Sequence, residues 1–105
     1  MGEACQTFVQ LIEAGDYYEA HEALEEIWYP KRFEKDNEIS LIKGFINASV
    51  AFELVKKGRM EPARKTWKVY LKYRTLIECV ESEHLPLYRK VDALLEQKYE
   101  QLFGA

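Results

Sequence analysis

The chain is short of the residues that interrupt, cross-link or anchor a fold. Three prolines and five glycines in 105 residues, with no Ser-rich or Gln-rich tract, leave no linker to separate from the rest. One structured domain, residues 1 to 105, is expected. The two cysteines, Cys5 and Cys79, are far apart and in no Cys-x-x-Cys spacing. That excludes a disulfide scaffold and a cysteine zinc motif, and it fits a reducing cytoplasm. No apolar run approaches the roughly 18 residues of a membrane span, and the opening residues lack a basic stretch followed by an apolar one. Membrane insertion and secretion are not expected. A phosphate loop, a nucleophile elbow and a zinc-ligand signature are also missing, so no motif points to a particular reaction.

What is present is a helical pattern. Apolar residues make up 48% of the chain and aromatics 13%, enough to close a core in an ordered domain. Phe8, Val9, Leu11 and Ile12 recur at helical spacing and Gly15 follows as a stop, which predicts a helix over residues 3 to 14. Asp16 and Glu19 have the spacing of a capping box, so a second helix starts at Asp16 and runs to Pro30. Residues 31 to 38 are charged and aperiodic, a loop ending at an Asn37 cap. The helix over residues 38 to 57 is apolar on two sides, with Ile42, Phe45, Ile46 and Phe52 on one and Gly44, Ala48, Ala51 and Val55 on another. It is the expected centre of the fold. Gly58 ends it, and a fourth helix opens near Met60 with Ala63, Trp67, Tyr70, Tyr73 or Arg74, Ile77 and Val80 facing inward. Pro86 opens a fifth with Leu87, Val91, Leu94, Leu95, Tyr99 and Leu102 as its apolar face. No strand pattern occurs, so the fold class is all-α, a bundle of about five helices with one central helix surrounded by the others. Gly15 and Ala20 match Gly58 and Ala63 in spacing, a faint repeat like half of a tetratricopeptide hairpin.

Net charge is -3, but residues 1 to 38 carry 10 acids and 3 bases, while residues 56 to 74 carry 8 bases and 1 acid. The opposite charges of the two segments can neutralise one another. Lys56, Lys57, Arg59, Arg64, Lys65, Lys68, Lys72 and Arg74 read as a solvated helix face, with no specific nucleic-acid binding expected.

One polar constellation breaks the apolar pattern. His21, Glu25 and Trp28 follow one another at four and three residues, which places them within roughly 60° on one helix face. Glu22 and Glu26 point away from it. Glu53 shares a stripe with Ile42, Ile46 and Ser49 on the central helix, where a carboxylate needs a partner. Two readings follow. In one, His21 bonds to Glu25 or Glu53 as a buried brace in a non-catalytic structural or interaction domain, whose expected partner is another protein or a second copy. In the other, His21, Glu25 and Glu53 converge on a divalent metal or a small substrate, possibilities that imidazole and carboxylate chemistry both allow.

The run Tyr17-Tyr18-Glu19-Ala20-His21-Glu22-Ala23-Leu24-Glu25-Glu26-Ile27-Trp28, then Leu41-Ile42-Lys43-Gly44-Phe45-Ile46-Asn47, then Lys57-Gly58-Arg59, resembles the family designated domain of unknown function 309. These small helical proteins carry a His-x-x-x-Glu-x-x-Trp motif, matched here by His21, Glu25 and Trp28. The family's glycine in the third helix corresponds to Gly44, and its Gly-Asn turn to Gly58-Arg59. The resemblance spans residues 15 to 71 and implies a bundle around one central helix, without implying a reaction. The chain departs from the family pattern at Lys43, where Gln is usual, and at Glu53, where His is frequent.

Overall fold

The computed structural model describes residues 1–104; Ala105, the last residue of the expected domain, lies outside them. Among the described residues there are five α-helices and no strand: α1 (Gly2–Ala14), α2 (Tyr17–Trp28), α3 (Asn37–Lys56), α4 (Met60–Arg74) and α5 (Leu85–Phe103). Short 3-10 turns follow α2 (Tyr29–Lys31) and α4 (Thr75–Glu78). No helix among the described residues is long and apolar enough to cross a membrane.

The turns from α1 to α2 and from α3 to α4 are built alike. Gly15 and Gly58 take φ of 81° and 75°, a left-handed conformation that glycine adopts without a Cβ penalty. In the first turn the Asp16 N–H donates to the Leu11 carbonyl at 2.9 Å and the Gly15 N–H to Ile12 at 3.1 Å. In the second, Arg59 donates to Leu54 at 2.8 Å and Gly58 to Val55 at 2.9 Å. Each following helix starts two residues after its glycine and buries an alanine completely, Ala20 or Ala63. The faint sequence repeat is therefore a repeat of helix hairpins. Lys56 Nζ, at the end of α3, donates to the Gly15 carbonyl at 3.0 Å and ties the first turn to the second hairpin.

Three local expectations need correction. The Asp16 side chain makes no capping bond: its backbone, at φ −90° and ψ 68°, departs from the extended geometry of a capping residue, and its N–H, which Glu19 would engage in a capping box, donates to Leu11. The cap of α3 is Asp36, whose Oδ1 accepts the Glu38 N–H at 2.7 Å; Asn37 is the first helical residue. α2 ends at Trp28, ahead of Pro30 as expected, and Pro30 sits early in the 3-10 turn that follows, where its missing N–H is not needed. The fourth helix ends at Arg74 and tightens into Thr75–Glu78, yet Ile77 and Val80 are buried as expected.

α3 is the centre. Ten of its twenty residues are buried, against three in each of α2, α4 and α5. Phe45 lies 6.3 Å from Phe8 of α1, 6.1 Å from Tyr70 of α4 and 6.0 Å from Tyr88 of α5, ring centre to ring centre. Phe52 meets Tyr17 of α2 at 5.4 Å and Trp67 of α4 at 5.6 Å. Each such fully buried side chain contributes roughly 1.5–3 kcal/mol of transfer free energy. Tyr17 thus meets the end of α3, while Trp28 lies beside Lys43 nearer its start. Trp67 likewise meets Phe52, and Tyr73 lies against Gly44. Both α2 and α4 therefore run antiparallel to α3 and parallel to each other. α5 closes the bundle through Tyr99, stacked on Trp67 at 4.4 Å and on Phe103 at 4.5 Å.

Candidate functional site

The helical spacing of His21 and Glu25 brings them together as expected: His21 Nε2 donates to Glu25 Oε2 at 2.5 Å. The bond lies within α2, so of the two partners considered for His21 the structure selects Glu25. The His21 side chain is 20% exposed and Glu25 40% exposed. The two imidazole nitrogens differ sharply. Nε2 faces the partly exposed carboxylate, whereas Nδ1 is buried and has no hydrogen-bond partner. Tyr18 covers the ring edge-on at 5.9 Å. Trp28, on the same side of α2, packs partly buried against the core, with Lys43 Nζ 5.7 Å from its ring centre. The same ammonium lies 5.9 Å from the Tyr73 ring, so Lys43 sits between two aromatic faces, an arrangement that favours a cation.

Glu53 is mostly buried but turned to a different partner. Its carboxylate pairs with Lys57 at 3.1 Å, one turn along α3. It lines a cleft of about 230 Å³ with Asp16, Tyr18, Lys56 and Lys57 among its other walls, and neither His21 nor Glu25 reaches that cleft. Among the described residues no group of three or more His, Cys, Asp and Glu side chains is arranged to hold a metal ion. His21 and Glu25 are therefore brought together, and Glu53 is not joined to them. Glu22 and Glu26 are exposed, as expected.

Two polar clusters on the inner faces were not singled out from the sequence. At the α4–α5 contact the fully buried Tyr70 donates its hydroxyl to Asp92 Oδ1. Arg74 donates to Asp92 Oδ2 at 2.8 Å and to Glu96 Oε1 at 3.2 Å. Burial works against the Arg74 charge, but the bonds to Glu96 and Asp92 outweigh it and raise its pKa. At the other end of α3, Glu38 Oε2 accepts from Tyr88 at 2.5 Å and from Ser82 at 2.6 Å, joining α3 to α5 and its preceding loop. The signal for both lies in α5, where Tyr88, Asp92, Glu96 and Tyr99 recur at helical spacing along the apolar stripe. An inward tyrosine needs a partner for its hydroxyl.

These clusters predict an alkaline limit. Burial first, then the bond to a carboxylate, raises the pKa of Tyr70 and of Tyr88 above the ordinary 10.0. Burial pushes the Cys5 thiol up from 9.0 to about 11. Each group keeps its proton in the folded chain where the unfolded chain releases it. Their stabilisation is complete below the unfolded values and is lost as pH rises through the folded ones, by up to about 1.4 kcal/mol per pH unit for each group. Urea midpoints measured from about pH 8 to about pH 11 should fall, and more gently in a Tyr70→Phe/Tyr88→Phe variant. Parallel pH profiles for the two proteins would count against this origin.

The ion-paired bases of residues 56–74 find their partners within α3 and α4 or on α5. Lys57 pairs with Glu53, Lys65 reaches Glu61 at 4.0 Å, and Arg74 pairs with Asp92 and Glu96. Among the described residues, no acid of residues 1–38 forms an ion pair with a base of residues 56–74. Asp16 and Glu19 line one cleft with Lys56 and Lys57 without forming an ion pair to either.

Comparison with known proteins returns no match among curated proteins or among solved structures. A family model, described as Domain of unknown function (DUF309), matches residues 5–66, from α1 into the first half of α4, and so takes in His21, Glu25, Trp28, Gly44 and Gly58. With more than half of its length covered, including both glycine turns and the His21–Glu25 pair between them, the chain belongs to this family.

Proposed function

We propose that the chain is a non-catalytic helical module for protein interaction or structural support, in which His21 and Glu25 form an internal polar brace. The observation that carries this reading is the direction of the imidazole. A base oriented by a carboxylate needs its second nitrogen open to substrate. Here the nitrogen without a partner, Nδ1, is buried, and the outward nitrogen is occupied by Glu25. A metal or small-molecule site built from His21, Glu25 and Glu53 would require Glu53 to leave Lys57 and the imidazole to turn. Trp28 then serves packing and a cation contact rather than a ligand. The free thiols, Cys5 buried and Cys79 exposed, support placing the module in the cytoplasm.

The brace has a measurable consequence. His21→Ala should lower stability by about 1 to 2 kcal/mol, since it removes packing and a bond whose carboxylate partner water can still reach. Glu22→Ala, on the solvated side, should change it by less than about 0.5 kcal/mol. Urea denaturation of the three proteins provides the comparison. An unchanged His21→Ala midpoint, together with zinc binding that the substitution abolishes, would replace the brace with a ligand site.

A further inference from the structure

The two hairpins carry opposite charge on the outer faces of their second helices. On α2, Glu19, Glu22 and Glu26 are exposed, and on α4, Lys65, Lys68 and Lys72 are exposed. Both triplets lie on the side of their helix opposite its buried residues, Tyr17, Ala20 and Leu24 in α2 and Ala63, Trp67 and Tyr70 in α4. The spacing is the same in each, three residues and then four. Among the described residues the three acids make no ion pair and neither do Lys68 and Lys72; Lys65 has only its outlying 4.0 Å approach to Glu61, with both side chains highly exposed. Apolar surface accompanies the charges: Tyr18 is 53% exposed beside the acids, and Val69 and Leu71 are 36% and 38% exposed beside the lysines.

We propose that the acidic face of α2 in one copy of this chain docks on the basic face of α4 in another. The proposal rests on the interaction-module reading above and names its partner as a second copy. Two helices laid side by side in parallel bring Glu19, Glu22 and Glu26 level with Lys65, Lys68 and Lys72. The equal spacing lets all three pairs form at once, where a single exposed pair would be worth little. A contact between two different faces closes if a two-fold axis repeats it and extends into a chain if it does not. Either outcome gives Glu19, Glu22 and Glu26 of α2, and Lys68 and Lys72 of α4, ion-pair partners that they lack among the described residues of one copy.

The test is sedimentation of the full chain at low and high salt. At about 20 mM salt, where exposed charges are weakly screened, the wild type should associate, and it should dissociate as salt approaches about 0.5 M. A Glu19→Lys/Glu22→Lys/Glu26→Lys variant, and separately a Lys65→Glu/Lys68→Glu/Lys72→Glu variant, should each lose self-association by more than about a hundredfold, because like charges then face each other. Mixed in equal amounts, the two variants should associate with each other, since each offers the face the other has lost. Folding of each variant is checked by its helical circular dichroism, and the mixture controls for any general loss. A wild type that stays monomeric at low salt, or two folded variants that fail to pair when mixed, overturns the proposal. Neither result touches the brace, whose failure appears in the His21→Ala midpoint and zinc binding.

Discussion

Replacing Gly44 by valine should destabilise the protein by about 3 kcal/mol, measured as a loss in the urea midpoint at unchanged slope. A Cβ at this position would lie 2.5 Å from the Tyr73 Cβ. That neighbour is fixed to the α4 backbone and cannot swing aside as the tip of a long side chain would, so α3 and α4 must separate. The displacement propagates to Phe45, Phe52 and Trp67, which fill the same interface. Gly44→Ala meets the same first contact but regains about 1 kcal/mol of helix propensity, so its net loss should be smaller, about 1 to 2 kcal/mol. A double-mutant cycle with Tyr73→Gly should recover part of the loss. Valine tolerated within about 0.5 kcal/mol would mean that the helices approach less closely than described here.

Asp92→Ala should cost about 3 kcal/mol. The substitution leaves the buried Tyr70 hydroxyl without an acceptor and leaves Arg74, 26% exposed, with only the more exposed Glu96. Breaking one member of a buried network is costly because its former partners stay behind. Asp92→Asn, which keeps an acceptor but not the charge, should lose less. Glu96→Ala should lose under about 1 kcal/mol, since that carboxylate is 54% exposed. Equal losses from Asp92→Ala and Glu96→Ala in chemical denaturation would contradict the arrangement.

The fold was legible because its sequence signals are local. A glycine after a periodic run marks a helix end wherever a left-handed residue is needed, and both Gly15 and Gly58 adopt that conformation. Apolar residues on two sides of residues 38 to 57 mark the helix with neighbours all round, as α3 has. The His21–Glu25 bond was also legible, being four residues long on one helix. Glu53 is the exception among these local contacts, since its partner Lys57 stands four residues on, a readable spacing passed over in favour of a partner on α2. Contacts between distant helices were harder to read. Tyr70 with Asp92, and Glu38 with Tyr88, are separated by 22 and 50 residues, so their pairing depends on how α5 returns across the bundle. The capping expectation at Asp16 failed because the turn after α1 draws the Asp16 N–H to Leu11 and leaves Asp16 at φ −90° and ψ 68°, off the extended geometry of a capping residue.

On the proposed reading, the His21–Glu25 pair is part of the scaffold and holds no ligand. Thermal unfolding of the wild type with and without excess zinc tests it most directly. A metal held by the folded chain alone would add about 2.7 kcal/mol at a hundred times its dissociation constant, a rise of several degrees in melting temperature. A scaffold pair gives no rise in the wild type and a lower melting temperature for His21→Ala whether or not zinc is present. A zinc-dependent rise in the wild type that His21→Ala or Glu25→Ala abolishes would contradict that reading.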